Sequence, residues 1–356
     1  MEGPGARGGS RLTAPLILGI ETSCDETSAA VVADGHVRSN VVSSQAELHA
    51  RFGGVVPEVA SRRHLELVSY VVRDALDQAR AELDDVELVA VTTGPGLIGA
   101  LLVGVAAAKG IAFGRRLPFA AVDHLHGHVA ALYLEPAAER PVRDSGPVEG
   151  VRGNREVPPT LPLNPPFLCL LASGGHTLLL DVREHGGFRR IGTTIDDAAG
   201  EAFDKGARLL GLGYPGGAAL DRLARDGDPD AYAFPVARVP GFDFSFSGLK
   251  TSLLYAVRDL APDELERRRA DLAASYQRAI VRALVRRTLE AAEATGAERI
   301  AVVGGVAANS ELRASIPGAA LAPLELCTDN AAMIASAARF VEALPYPEYL
   351  ALDAHA

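Results

Sequence analysis

Twice along this chain a short apolar run enters a polar turn and a second apolar run leaves it, and this repeat restricts the fold more than any other feature. Leu16 to Ile20 and Ser28 to Val32 flank the hydroxyl- and carboxylate-rich turn Glu21 to Thr27. Phe167 to Leu171 and Thr177 to Val182 flank Ala172-Ser173-Gly174-Gly175-His176 in the same manner. Short apolar runs bounded by turn residues predict buried strands. Two halves with one opening predict two related lobes facing each other across a cleft, on architecture alone, since the turns share little sequence.

Each opening leads into further strand and helix patterns. Pro57 to Leu83 has helical periodicity, with Val59, Leu65, Val68, Val72, Leu76 and Ala79 on one side. Val86 to Thr93 reads as a strand ending in Gly94-Pro95-Gly96, then Leu97 to Phe113 as a Gly- and Ala-rich helix. Phe119 to Leu134 is a second strand-to-helix passage. In the second half, Ile195 to Lys205 predicts a helix start with acidic residues at its positive end. Phe242 to Lys250 predicts a core-facing strand, Leu265 to Thr295 a helix, Arg299 to Val303 a strand, Ser310 a helix cap, and Asp329 to Phe340 the last helix. The alternation predicts an α/β layered fold with sites where strands hand over to helices.

The expected organisation is a frayed tail over 1–14, an N-terminal lobe over 15–134, a Pro-rich linker over 135–166, a C-terminal lobe over 167–345 and a tail over 346–356. The last helix is placed to pack back on the N-terminal lobe. No uninterrupted apolar run reaches the roughly 18 residues of a membrane span, because Gly99, Gly104, Lys109 and Gly110 break Leu97 to Phe113. No membrane association is expected. Met1 to Leu12 lack the apolar core of a signal peptide. Cys24, Cys169 and Cys327 lie far apart without a C-x-x-C, which points to a reducing, cytoplasmic setting. A formal charge of −10 excludes a grip on nucleic acid over the whole surface. It leaves local basic faces, at Arg62-Arg63-His64, Arg267-Arg268-Arg269 or Arg286-Arg287.

The chemistry concentrates at Asp123-His124-Leu125-His126-Gly127-His128. His124 and His128 are i and i+4 on a helix, the spacing with which two imidazoles bind one metal ion, while His126 points away. Spacing alone leaves a metal pair and a surface pair equally open. A metalloprotease needs Glu directly after the first histidine, and Leu125 stands there. Asp329, in Cys327-Thr328-Asp329-Asn330, reads by itself as a helix cap. The glycine turns at Ser173-Gly174-Gly175, Gly216-Gly217 and Gly304-Gly305 offer unpaired amides to a phosphate. No P-loop motif is present, and no G-x-G-x-x-G opens a helix after the first strand.

Taken in order, Glu21-Thr22-Ser23-Cys24-Asp25-Glu26-Thr27, Thr93-Gly94-Pro95-Gly96, His124-x-x-Gly127-His128, Ser173 to Thr177, Ile195 to Lys205, Tyr214-Pro215-Gly216-Gly217, Gly304 to Asn309 and Cys327 to Asn330 resemble the TsaD (Gcp) family. The likeness runs from Leu16 to about Leu344. It implies a two-lobed α/β fold of the actin, Hsp70 and sugar-kinase type with a cleft between duplicated lobes. It implies transfer of threonylcarbamoyl from threonylcarbamoyl-AMP to N6 of the adenine 3′ of the anticodon in tRNAs reading ANN codons, with release of AMP. The matching residues make His124, His128 and Asp329 metal ligands, for Fe2+ first and Zn2+ second. They make Ala172, Ser173, Gly174, Gly175, His176, Asp204, Gly217 and Asn309 substrate-site residues, with Asp221 a further candidate. Asp25 and Glu26 are candidate catalytic groups across the cleft. A TsaB-like paralogue and a TsaE-like ATPase are the implied partners. The chain departs from the family's pattern at His126, where Glu is frequent, in a short Asn309 to Asp329 connection, and in a long Glu135 to Pro166 stretch. A scaffold paralogue, a small-molecule kinase and a glycopeptidase remain competing readings, the first disfavoured by the histidine pair.

Overall fold

The computed structural model describes residues 14–135 and 163–355. The predicted N-terminal tail, except its last residue, and most of the Pro-rich linker lie outside the described residues.

The N-terminal strands alternate side chains between two covered faces. Strand β1 (Leu16–Glu21) pairs antiparallel with β2 (Glu26–Ala33), and β2 with β3 (His36–Ser44). After α1 (Ala46–Ala50) and the long α2 (Pro57–Ala79), β4 (Leu88–Gly94) returns parallel to β1. Helix α3 (Ile98–Arg115) leads to β5 (Phe119–Asp123), parallel to β4, and α4 (His124–Ala130) follows without a loop. The sheet order is β3-β2-β1-β4-β5. By length and composition α3 is apolar enough to cross a bilayer. It packs against β4 and α2 as a core helix, burying Leu101, Val105, Ala108 and Ala112.

The second half repeats this plan. Strands β6 (Phe167–Ala172), β7 (Thr177–Glu184) and β8 (Gly187–Thr193) form an antiparallel meander. Helices α5 (Ala199–Leu209), α6 (Gly217–Ala224), α7 (Ser247–Arg258) and α8 (Pro262–Thr295) precede β9 (Ile300–Val303), parallel to β6. Helix α9 (Ser310–Ser315), β10 (Ala320–Leu321) and α10 (Ala331–Ala337) complete it. The order β10-β9-β6-β7-β8 is the first sheet's order, strand for strand, so the lobes are duplicated as expected of the actin, Hsp70 and sugar-kinase type.

One core runs through both halves. Helix α10 lies on β1, β2 and α4 of the N-terminal lobe. Its approach to β1 is close enough that a Cβ on Gly19 would meet the Ala331 carbonyl at 2.4 Å. Ile17, Ala30, Val32 and Val122 therefore share a core with Met333 and Ile334, while Leu18, Ile20, Val89 and Val91 face α2 and α3.

Several expectations are corrected. Phe244 and Phe246 do face the core, but the chain turns helical at Ser247, because Asp196 accepts the Phe246 and Ser247 N–H groups. Asp196 thus serves α7, and α5 starts only at Ala199. Asn309, not Ser310, caps α9 by accepting the Leu312 N–H. Beyond residue 345 the chain does not trail away: Tyr349 is fully buried and stacks on Phe119, and Lys109 donates to the Leu350 and Leu352 carbonyls.

Candidate metal centre and interlobe cleft

The strand-to-helix passage at β5–α4 is set by Asp123, whose carboxylate accepts N–H bonds from Leu125 (2.8 Å) and His126 (3.1 Å). This cap starts the helix at His124 and puts His128 one turn further on the same face. Helix α4 packs on α10, with Gly127 so near Ile334 that a Cβ would stand 2.7 Å from its Cδ1. The start of α10 is capped by Asn330, which accepts the Met333 N–H at 3.1 Å. Asp329 is not the cap that its position suggested. Freed of that duty, its Oδ1 lies 3.5 Å from His124 Nε2 and 3.3 Å from His128 Nε2.

Behind His124 stands Glu21, fully buried at the end of β1. Its Oε2 accepts from Thr92 Oγ1 (2.6 Å) and from His124 Nδ1 (3.0 Å), and its Oε1 accepts the Ser23 N–H. A carboxylate on Nδ1 selects the tautomer that leaves Nε2 for a ligand, the arrangement common behind metal-binding histidines. Burial alone would raise the Glu21 pKa, but the charge of His124 and its hydrogen bond outweigh it and hold the carboxyl low. For His124 burial opposes the charge, and Asp329 and Glu21 overcome it, raising the pKa to about 9. Asp329 is held well below the ordinary carboxylate range, because His124 and His128 outweigh its burial.

The donor set fits a metal on one observation above others. His128 is fully buried, its Nδ1 has no hydrogen-bond partner, and its Nε2 meets only the Asp329 carboxylate, at 3.3 Å and without hydrogen-bond geometry. So poorly satisfied a buried imidazole is costly unless a cation joins Nε2 and the carboxylate. One donor atom each from His124, His128 and Asp329 falls within 4.8 Å of the others, and imidazole with carboxylate suits a divalent first-row metal. His126 is not part of this set: its ring meets Phe188 of β8 edge-on, centroids 4.4 Å apart, bridging the lobes.

His124 and Asp329 open onto a cleft of about 890 Å3 between the lobes. From the N-terminal side Asp25, Glu26 and the Pro95-Gly96-Leu97 turn line it, and from the other side Ser173, Gly174, Gly175, His176 and Asp204. Burial, then the charges of Asp329 and Asp25, push Glu26 up to about 9, and Ser44 Oγ donates to its Oε1 at 3.1 Å. Burial first and then His124 and His128 lower His176 to about 4, so it is neutral. The Ser173 turn is folded by Ser173 N–H donating to the His176 carbonyl (2.8 Å). Helix α5 presses on that turn, since a Cβ on Gly200 would meet the Ser173 carbonyl at 2.5 Å. Gly174 and Gly175 stay exposed in the cleft.

Other expected site residues stand behind the wall. Ala172 is fully buried under Gly304 (φ +89), where a Cβ would lie 2.4 Å from the Ala172 carbonyl. The Gly216 and Gly217 amides are not open for phosphate, because Asp204 accepts both, at 2.7 and 3.2 Å. Asp221 accepts from Asn309 Nδ2 (3.2 Å) and Ser310 Oγ (2.7 Å) and pairs with Arg225. None of Ala172, Gly217, Asp221 and Asn309 is among the cleft-lining residues. Glu21, Lys205, Arg208 and Tyr214 take places at the site that the sequence did not assign. For Glu21 the available signal was a carboxylate ending a buried strand, which needs a buried partner. Gly94-Pro95-Gly96-Leu97-Ile98-Gly99 has dinucleotide-type glycine spacing at the β4–α3 passage, but these glycines serve packing. A Cβ on Gly96 would meet the Ser23 carbonyl at 2.7 Å and one on Gly99 the Ser61 Oγ at 2.6 Å.

The family model described as "TsaD: tRNA N6-adenosine threonylcarbamoyltransferase" matches residues 36–144 and 152–336. A protein of that name from Symbiobacterium thermophilum is 50% identical over 340 residues, covering 93% of this chain and 92% of its own. One from Caldicellulosiruptor bescii is 47% identical over 335 residues, covering 91% and 92%. Among solved structures, HypF of T. kodakarensis superposes with TM-score 0.57 at 15% identity, over 92% of this chain and 47% of that one. Component A of the Acidaminococcus fermentans (R)-2-hydroxyglutaryl-CoA dehydratase gives 0.51 at 15% identity, over 92% and 98%. These two likenesses concern the fold.

Proposed function

Since the chain belongs to the TsaD family of tRNA N6-adenosine threonylcarbamoyltransferases, we propose that its donor is threonylcarbamoyl-AMP and its acceptor N6 of the adenine 3′ of the anticodon in tRNAs reading ANN codons. The N6–carbonyl bond forms, the carbonyl–phosphate oxygen bond breaks, and AMP leaves. Adenine N6 is a weak nucleophile because its lone pair is delocalised into the ring, so the carbonyl must be activated and the departing phosphate stabilised. The observation that carries the reading is the buried His128, whose Nε2 meets only the Asp329 carboxylate, beside the Glu21-held His124. These three ligands would hold Fe2+, or in second place Zn2+, which supplies Lewis acidity and a template for the donor's oxygens.

The chain's own groups do the rest. Gly174 and Gly175, exposed in the turn that packs on the start of α5, offer backbone N–H groups to the donor's phosphate. Ala172 and Asn309 shape that wall from behind. Glu26, its pKa raised by burial and the neighbouring carboxylates, orients the donor by hydrogen bonding, and Asp25 accepts the N6 proton. His176, neutral, packs beside the metal ligands without adding charge.

Partners complete the reading: tRNA, a TsaB-like paralogue and a TsaE-like ATPase. Helices α2 and α3 pack side by side and leave Leu65, Tyr70, Ile98 and Leu102 exposed, which supports a covering protein there. Depletion of the protein followed by mass spectrometry of tRNA nucleosides tests the function. Loss of threonylcarbamoyladenosine is expected, and an unchanged level would remove the assignment. Metal analysis of the purified chain tests the centre separately, with one iron or zinc per chain expected.

A further inference from the structure

The cleft is lined by five carboxylates, Asp25, Glu26, Glu201, Asp204 and Asp329, against two long cations, Lys205 and Arg208. A polyanionic RNA that brings a base into such a cleft needs a cation at its mouth that is not already neutralised. Lys205 is not available, being paired with Asp197 (2.6 Å) and Glu201 (2.9 Å). Arg208 differs. Among the described residues no carboxylate lies within ion-pair distance of its guanidinium; Asp204, one turn earlier, feels its charge but spends Oδ1 on the Gly216 and Gly217 amides. Its one partner is neutral: Nη2 donates to the carbonyl of Gly53, in the N-terminal lobe's loop between α1 and α2. A charged donor on a neutral carbonyl holds the weaker of two possible bonds, since an oxyanion would make it charge-assisted.

Position selects the source of that oxyanion. Arg208 is exposed at the C-terminal end of α5, whereas the Ser173-Gly174 turn packs on the helix's first turn. The eight-residue step from Gly200 to Arg208 carries the backbone about 12 Å along the helix at 1.5 Å per residue. The guanidinium therefore stems from the end of α5 away from the Ser173-Gly174 turn, and that end opens to solvent. We propose that Arg208 receives a phosphodiester of the tRNA backbone next to the target adenosine, exchanging the Gly53 carbonyl for it when the RNA enters the cleft.

The inference rests on tRNA being the acceptor. It is tested in the complete modifying enzyme with an unmodified tRNA transcript, by measuring KM for tRNA across a salt series, alongside AMP affinity by calorimetry and the melting temperature. Arg208→Gln is expected to raise KM for tRNA several-fold at low salt and to flatten its log–log salt dependence by roughly 0.7, one phosphate contact. AMP affinity and melting temperature stay as in the wild type, and Arg208→Lys retains the wild-type salt slope. An unchanged slope in Arg208→Gln, or a loss confined to AMP affinity, overturns the proposal. A wild-type enzyme whose use of tRNA ignores salt overturns it together with the acceptor reading, so the two failures are separable.

Discussion

Glu21 braces the proposed metal site through His124 without being one of its ligands, and its removal has a measurable signature. Glu21→Gln keeps the volume but weakens the acceptor on Nδ1, so metal affinity should fall about 10–100-fold. Competition with a chelator reads this directly. The i, i+4 spacing of His124 and His128 was legible in the sequence because a helix makes near neighbours of such residues. The role of Glu21 was not, since its partner lies 103 residues away. Asp196 gives a second test at this scale. Burial raises its pKa, but hydrogen bonds from Ser245, Phe246 and Ser247 outweigh that and lower it. A lowered carboxylate pKa contributes stability above the unfolded value of about 3.9 that is lost as pH falls through the folded pKa. Asp196→Asn should therefore melt lower than wild type at neutral pH and show a flatter acid limb below pH ~4 in a melting series.

Elements reveal which backbone approaches the fold depends on. Strand–turn–strand openings were legible because apolar runs and turn residues are local signals. The edge strands β3 and β8 were not, being half-exposed along most of their length with no sustained buried run. The start of α7 was hidden because its capping carboxylate comes from Asp196, fifty residues earlier. Gly19 and Gly110 make opposite predictions. Gly19→Ala drives a Cβ into the Ala331 backbone and should cost about 1–3 kcal/mol in denaturant unfolding. Because α10 begins two residues after Asp329, metal affinity should fall with it. At Gly110, inside α3, a Cβ meets nothing within 4 Å, so Gly110→Ala should stabilise by about 0.5–1 kcal/mol.

The whole molecule is held together by segments that return to the opposite end of the chain. Tyr349, expected in a tail, is buried on Phe119, and Tyr349→Ala should cost about 3–5 kcal/mol in denaturant unfolding, as for other large buried aromatics. The repeated strand–turn–strand opening and motif order indicated a duplicated two-lobed fold, and the last helix, expected against the N-terminal lobe, lies on β1, β2 and α4 as α10, though no local pattern gives its partners. The Ala331 N–H bonds to Ser28 Oγ across 303 residues of chain. At about 5–20 residues per second of synthesis, the first sheet, complete at Asp123, waits roughly 10–40 s on the ribosome before its own covering helix exists. Nascent chains that stop short of α10 should therefore be captured by chaperones through the uncovered face of Ile17, Ala30 and Val32, which makes the timing of translation a determinant of how much metal-competent enzyme a cell obtains.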